Sequence, residues 1–324
     1  VFFMRKGLFI PLLLFFSFVS SAKDINSFSG NQFFYHGMYY RVGEYRSNSW
    51  NTTNKSVTLY KSSDLSRWEY VGTIFDSKKI NGLSIERPKV FFKNNKFIMW
   101  FHAERNSNFK EGYIGVATSD KVEGPYLLKK IGNISYSKPP LSSDDSLRKD
   151  WSVIAANKIY KKYQSKGFQV RDFSIFIENN DCYIVYVSED NYSLHIAKLN
   201  KDLTSISNYY ARVLVGYRNE APVITKINGR YILMMSGVDG YHLTNIRYAI
   251  SDSLFSDWKI HYNNSIKQTC IGQPAFVYHN HGEAYLVTDI WDFSGGYLGL
   301  YKSGEDVCKI ELNNNKVSLI SQRN

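Results

Sequence analysis

Four polar residues recur at one place in a repeated pattern. Glu86, Asp172, Glu220 and Gln273 each stand eight positions before a turn, at Asn94-Asn95, Asn180-Asp181, Asn228-Gly229 and His281-Gly282 respectively. Carboxyl groups converging with an amide suit acid–base hydrolysis of an acetal. One carboxyl, held protonated, gives its proton to a leaving oxygen while its neighbours steer a water. Crowding carboxylates pushes one pKa upward, which keeps an acid protonated near neutral pH. Any one of the four could simply cap a strand end or pair with a neighbour such as Arg87 or Arg171. Four in one mouth point to chemistry, because crowded acids carry an electrostatic cost.

These residues share a location only if the repeat is structural. Each opens an apolar run, crosses the turn and enters a second run, such as Phe97-Ile98-Met99-Trp100 or Tyr231-Ile232-Leu233-Met234. A fifth copy turns at His36-Gly37, and its position equivalent to Glu86 is Phe28. A third segment recurs at Leu59–Asp64, Gly115–Asp120, His195–Lys198, Arg247–Asp252 and Gly299–Lys302. After Trp68 and Trp258 a fourth strand is expected. Hairpin-linked strands with a period of roughly 50 residues predict an all-β fold, a five-bladed β-propeller. A β-sandwich is the alternative. In a propeller the innermost strands line the channel, so the four residues become a ring at its mouth. Residues 131–170 interrupt the period, and Trp151–Lys166 reads as a short helix. Long insertions in compact folds often border a binding site.

The 324 residues carry a formal charge of +11. Arg5 and Lys6, the apolar stretch Gly7–Val19 and the small residues Ser20-Ser21-Ala22 read as a signal peptide, residues 1–22. The mature domain, 23–324, is then one propeller of a secreted or periplasmic protein, with no membrane span after cleavage. Its Lys and Arg residues are scattered, so no nucleic acid partner is expected. The chain is expected to act as a monomer. Aromatics reach 16%, which suits strands first and flat apolar sugar faces second. Cys182, Cys270 and Cys308 allow one disulfide and leave one thiol. No metal is demanded, because no His, Asp or Glu cluster has ligand spacing.

The ordered motifs Val42-Gly43-Glu44-Tyr45, Ile85-Glu86-Arg87-Pro88-Lys89-Val90, Trp100-Phe101-His102, Gly112–Ala117, Gly124-Pro125-Tyr126, Arg171-Asp172, Glu220-Ala221-Pro222, Ser236-Gly237 and Gly272-Gln273-Pro274 resemble glycoside hydrolase family 43, within it the exo-β-1,3-galactanase-like subfamily. The resemblance implies an inverting glycosidase with Glu220 as general acid and Asp172 as the carboxylate that orients it and raises its pKa. The family's usual base, an Asp in the first blade, is absent here, as it is from the subfamily. There, a Gln at the Gln273 position and a Glu at the Glu86 position are thought to position the water. Glu44, Tyr113 and Asn191 fall where subfamily members contact galactose. Asp239, Tyr241 and Trp291, in flanking loops, are also expected to bind substrate, with Asp239 and Tyr241 where Thr and Trp are common and Ile290 where Arg is common. A channel calcium is implied for some members by the resemblance alone; no other cofactor is expected.

The expected activity is exo-hydrolysis of β-1,3-linked galactan or a related galactose-containing oligosaccharide or polysaccharide. A non-catalytic sugar-binding propeller is the alternative that Phe28 and the altered loop at Asp239–Thr244 support. An arabinofuranosidase or xylosidase ranks lower, since those enzymes normally need the missing Asp.

Overall fold

The computed structural model describes residues 25–105, 108–143, 153–243, 245–261 and 269–323; the expected signal peptide lies outside them. Five four-stranded antiparallel sheets form the five blades. Blade 1 holds β1 (Phe28–Tyr35), β2 (Met38–Glu44), β3 (Ser56–Ser62) and β4 (Glu69–Asp76). Blade 2 holds β5 (Ser84–Lys93), β6 (Lys96–Glu104), β7 (Tyr113–Ser119) and β8 (Leu127–Gly132). Blade 3 holds β9 (Phe173–Glu178), β10 (Asp181–Ser188), β11 (Ser193–Leu199) and β12 (Ile206–Val213). Blade 4 holds β13 (Asn219–Ile227), β14 (Arg230–Gly237), β15 (Arg247–Ser251) and β16 (Lys259–His261). Blade 5 holds β17 (Gln273–Asn280), β18 (Glu283–Ile290), β19 (Gly304–Asn313) and β20 (Lys316–Ser321).

Apolar side chains fill the space between successive sheets. Val57 and Leu59 of blade 1 meet Val90, Phe97 and Met99 of blade 2. Val185, Val187 and Ile196 of blade 3 meet Leu233 and Met235 of blade 4. The hairpin turns follow their chemistry: Asn94-Asn95 and Asn228-Gly229 take the positive φ pairs that match strand twist.

Two sequence expectations are corrected. In blade 3 the turn is Asn179-Asn180, because Glu178 pairs with Asp181. The other four inner strands carry a β-bulge just after the ring residue, which inserts one residue, whereas β9 pairs with β10 in unbroken register. Its count to the turn is therefore one shorter. In blade 5, Gly299–Lys302 is not the third strand but part of a 3-10 turn, Tyr297–Lys302; the third strand is β19. Gly296 enters that turn at φ 64, and Leu300 is buried beside Phe28 and Trp291. Packing this cluster takes the segment out of the sheet.

Among the described residues no strand is exchanged between the first and last blades. Side chains close the ring instead. Arg41 of β2 forms a near-buried ion pair with Glu305 of β19, and Ser29 Oγ donates to Asp289 Oδ2 at 2.6 Å. Helix α1 (Val153–Lys166) lies against blade 3, where Tyr163 joins Phe168, Tyr186 and Tyr210, and Arg212 donates to Ala156 O at 3.0 Å. Among the described residues no helix is long and apolar enough to cross a membrane.

Candidate active site

The bulges aim the ring. Ser29, Arg87 and Ala221, each following a ring position, adopt φ 51, 49 and 53. Each of these left-handed residues has its amide held by a carboxylate of the preceding blade. Ser29 N donates to Asp289 at 3.3 Å, Arg87 N to Glu44 Oε2 at 3.0 Å, and Ala221 N to Asp172 Oδ2 at 2.9 Å. Blade 5 differs because Pro274 fixes its own φ and has no N–H to give.

The result is a cavity of about 260 Å³ at the channel mouth, bordered by Glu44, Glu86, Asp172, Glu220, Gln273 and Trp291 among others. It is smaller than the about 300–1,000 Å³ of typical drug-sized sites, which suits one sugar ring more than a chain.

Glu220 stands beside Asp172 at the mouth. Burial, then the nearby Asp172 carboxylate, raises its pKa to about 8, against the lowering influence of Arg87, Asn191 and Arg171. Asn191 Nδ2 donates to its Oε1 at 2.7 Å, and Gln273 Nε2 lies 3.5 Å from its Oε2. Arg87 binds the rest together: Nε meets Asp172 Oδ1 at 2.5 Å, and Nη2 donates to Gln273 Oε1 at 2.7 Å. Trp291 Nε1 donates to the same oxygen at 2.9 Å. Glu86 accepts from Asn54 Nδ2 at 2.8 Å and from the Tyr297 hydroxyl at 3.3 Å.

The predicted binding residues divide. Glu44, Asn191, Tyr241 and Trp291 border the cavity. Glu44 is only 1% exposed, and its Oε1 takes Nε and Nη2 of Arg46 at 2.9 and 2.5 Å. Burial, offset by Arg46, pushes its pKa up to about 7. Tyr113 instead packs against the blade 1–blade 2 core, and Asp239 is exposed between the bordering residues Val238 and Gly240; neither Tyr113 nor Asp239 borders the cavity. Phe28 does occupy the first blade's ring position, buried against Trp291 with ring centroids 5.8 Å apart.

Several participants escaped the sequence reading. Asn54, buried in a left-handed turn, holds both Glu86 and Tyr297. Arg46 lies over the rings of Trp291 and Tyr297 at 5.1 and 5.2 Å. Trp50 stacks on Tyr297 within 7° of parallel. Of these only Arg46, two residues after Glu44, carried a local signal.

Where channel carbonyl oxygens converge, the residues fit a lysine ammonium and not a calcium ion. The carbonyl oxygens of Ser29, Gly30 and Ala275 converge on Lys89 Nζ at 2.5, 2.6 and 3.1 Å. Burial pulls the Lys89 pKa down. Three carbonyl acceptors nonetheless match the three N–H bonds of an ammonium, and a neutral amine would leave one without a donor. Elsewhere among the described residues, one set of three ligand-type side chains converges: Cys270, Asp306 and Cys308. Its cysteines form a disulfide, while Cys182 is free and buried.

Fold and mouth together define a five-bladed propeller of the glycoside hydrolase type. No family model matches the sequence, and no curated protein does. Among solved structures, a family 43 β-1,3-galactosidase in complex with galactodeoxynojirimycin is 26% identical, at a TM-score of 0.79, over 93% of this chain and 96% of that one. An exo-β-1,3-galactanase from Clostridium thermocellum is 24% identical at a TM-score of 0.73, over 91% of this chain and 61% of that one. One from Phanerochaete chrysosporium, with β-1,3-galactotriose, is 24% identical at 0.72, over 91% and 63%. The chain thus spans about three fifths of those two galactanases, and they bear on the fold. The chain is a five-bladed propeller similar to the β-1,3-galactosidases and exo-galactanases of glycoside hydrolase family 43.

Proposed function

We propose that this protein is an exported, inverting exo-glycosidase that releases galactose from β-1,3-linked galactan or a related glycan. The observation that carries the reading is Glu220, half-buried beside Asp172 with its pKa raised to about 8, in a one-sugar cavity. A carboxyl protonated at neutral pH can give its proton to the glycosidic oxygen. Gln273 and Glu86, on the two blades flanking Phe28, position the water that attacks the opposite face of the ring. The Arg87 and Trp291 donors fix the Gln273 amide, so its orientation does not depend on substrate. The family likeness supports a glycosidase, and galactose-type ligands accompany the neighbouring structures.

Incubation with β-1,3-galactooligosaccharides and arabinogalactan should release galactose, initially as the α-anomer. Glu220→Gln should abolish release with the thermal transition unchanged at about pH 5, where the wild-type carboxyl is protonated in the folded chain; release that persists in this variant removes Glu220 from the acid role. Phe28 at the usual base position favours a second reading, a sugar-binding propeller. Binding without product across a broad glycan panel would establish it.

A further inference from the structure

The connection between β10 and β11 runs through three consecutive left-handed residues: Glu189, Asp190 and Asn191, at φ 56, 55 and 65. L-residues visit this region singly, and Glu is a poor candidate for it. Such a turn persists only where its surroundings over-determine it.

Each of the three residues has its own fastening. Glu189 is fully buried and accepts from Arg212 Nε at 2.8 Å, from Arg212 Nη2 at 2.6 Å and from His195 Nε2 at 3.0 Å. Asp190 sits at the rim, meets Arg171 Nη2 at 3.0 Å, and accepts from the Tyr163 hydroxyl and Lys162 of helix α1. Asn191 accepts from Arg171 Nη1 at 3.0 Å and donates to Glu220 Oε1 at 2.7 Å. Helix α1, the turn, Arg171 and the acid form one chain of contacts.

We propose that the Glu189–Asn191 turn is a positioning device for the general acid, with Glu189 and Asp190 as positioning residues that act through Asn191. The Asn191 amide N–H is close to Oε1 at 2.7 Å, whereas the Gln273 Nε2 contact to Oε2 is long at 3.5 Å, so the transferable proton of Glu220 is disfavoured on Oε1 and favoured on Oε2. The same bond stabilises the ionised form, so it keeps the acid's pKa from rising further. The other charged groups facing Glu220 are Asp172, Arg87 and Arg171. The proposal rests on Glu220 being the acid, as argued above.

The test uses Asp190→Ala, whose side chain is half-exposed, with Asp190→Asn as the conservative variant and Glu189→Gln as the buried one. The Glu220 carboxyl is titrated directly by carbon-13 NMR, so the result stands even if no glycan is hydrolysed. Loss of the Asn191 contact should raise the Glu220 pKa by about one unit, the scale of one hydrogen bond to a charged group. On a cleaved glycan, kcat should fall roughly tenfold or more with little change in KM. Asp190→Asn keeps an acceptor for Arg171 and should restore both values. A Glu220 titration unmoved in Asp190→Ala, or moved equally in Asp190→Asn, would overturn the proposal. Failure of the wild type to hydrolyse any glycan would instead count against the glycosidase reading.

Discussion

Arg87 and Asp172 are joined across two blades, with Nε of one 2.5 Å from Oδ1 of the other. The second oxygen of Asp172 receives the Ala221 amide, one residue from Glu220. A single carboxylate therefore fixes the backbone beside Glu220 and also raises the Glu220 pKa through space.

Asp172→Asn keeps the shape and removes the charge. The Glu220 pKa should drop from about 8, since the Asp172 carboxylate is the second cause of its elevation after burial. A general acid works below its pKa, so the alkaline limb of the kcat/KM profile should move to lower pH by about one unit. A limb that stays in place would show that burial alone sets the value.

Arg87→Lys should reduce kcat on the order of a hundredfold. A point charge cannot keep planar contacts to both Asp172 and Gln273, and small misplacements at a reacting centre have effects of this size. A pre-steady-state assay that finds chemistry unaffected would contradict this.

Stability should fall as pH rises from about 5 to 8. Glu220 and Glu44 have folded pKa values of about 8 and 7, raised above the unfolded value of 4.5 chiefly by burial. Their stabilisation relative to the unfolded chain is full below the unfolded pKa and is lost as pH climbs through the folded values. Urea denaturation of Glu220→Gln should show a shallower decline than wild type, by on the order of 2 kcal/mol across that window. Parallel declines would refute the assignment.

Arg41→Met leaves Glu305 buried without its partner at the junction of blades 5 and 1. The expected loss is about 3–5 kcal/mol in equilibrium denaturation, much of it recovered by adding Glu305→Leu. An unchanged midpoint in the single variant would mean that the ring is held shut elsewhere.

Much of this architecture was legible in the sequence. The turn pairs, the apolar runs and the recurring ring position come from residues close together in the chain, where spacing speaks directly. Phe28 was identified as the fifth ring position by counting alone, and the register Phe28↔Glu44 places it there. The same counting put the blade 3 turn one residue late, because a bulge changes the number of residues without changing the pattern of types. It also read Gly299–Lys302 as a strand, where burying Leu300 beside Phe28 and Trp291 prevailed over the repeat.

The sequence by itself determined the blade count, the hairpins and the identity of the polar ring, since local periodicity and turn chemistry encode them. Only the tertiary structure decided what each ring residue touches. Glu44 became a buried support shared by Arg46 and Arg87, Lys89 took up the channel carbonyls, and Asn54 came to hold Glu86. The physical reason is distance along the chain. Asp172 and Ala221 lie 49 residues apart, and Arg87 and Gln273 lie 186 apart. Such pairs meet only when the five sheets close around one axis.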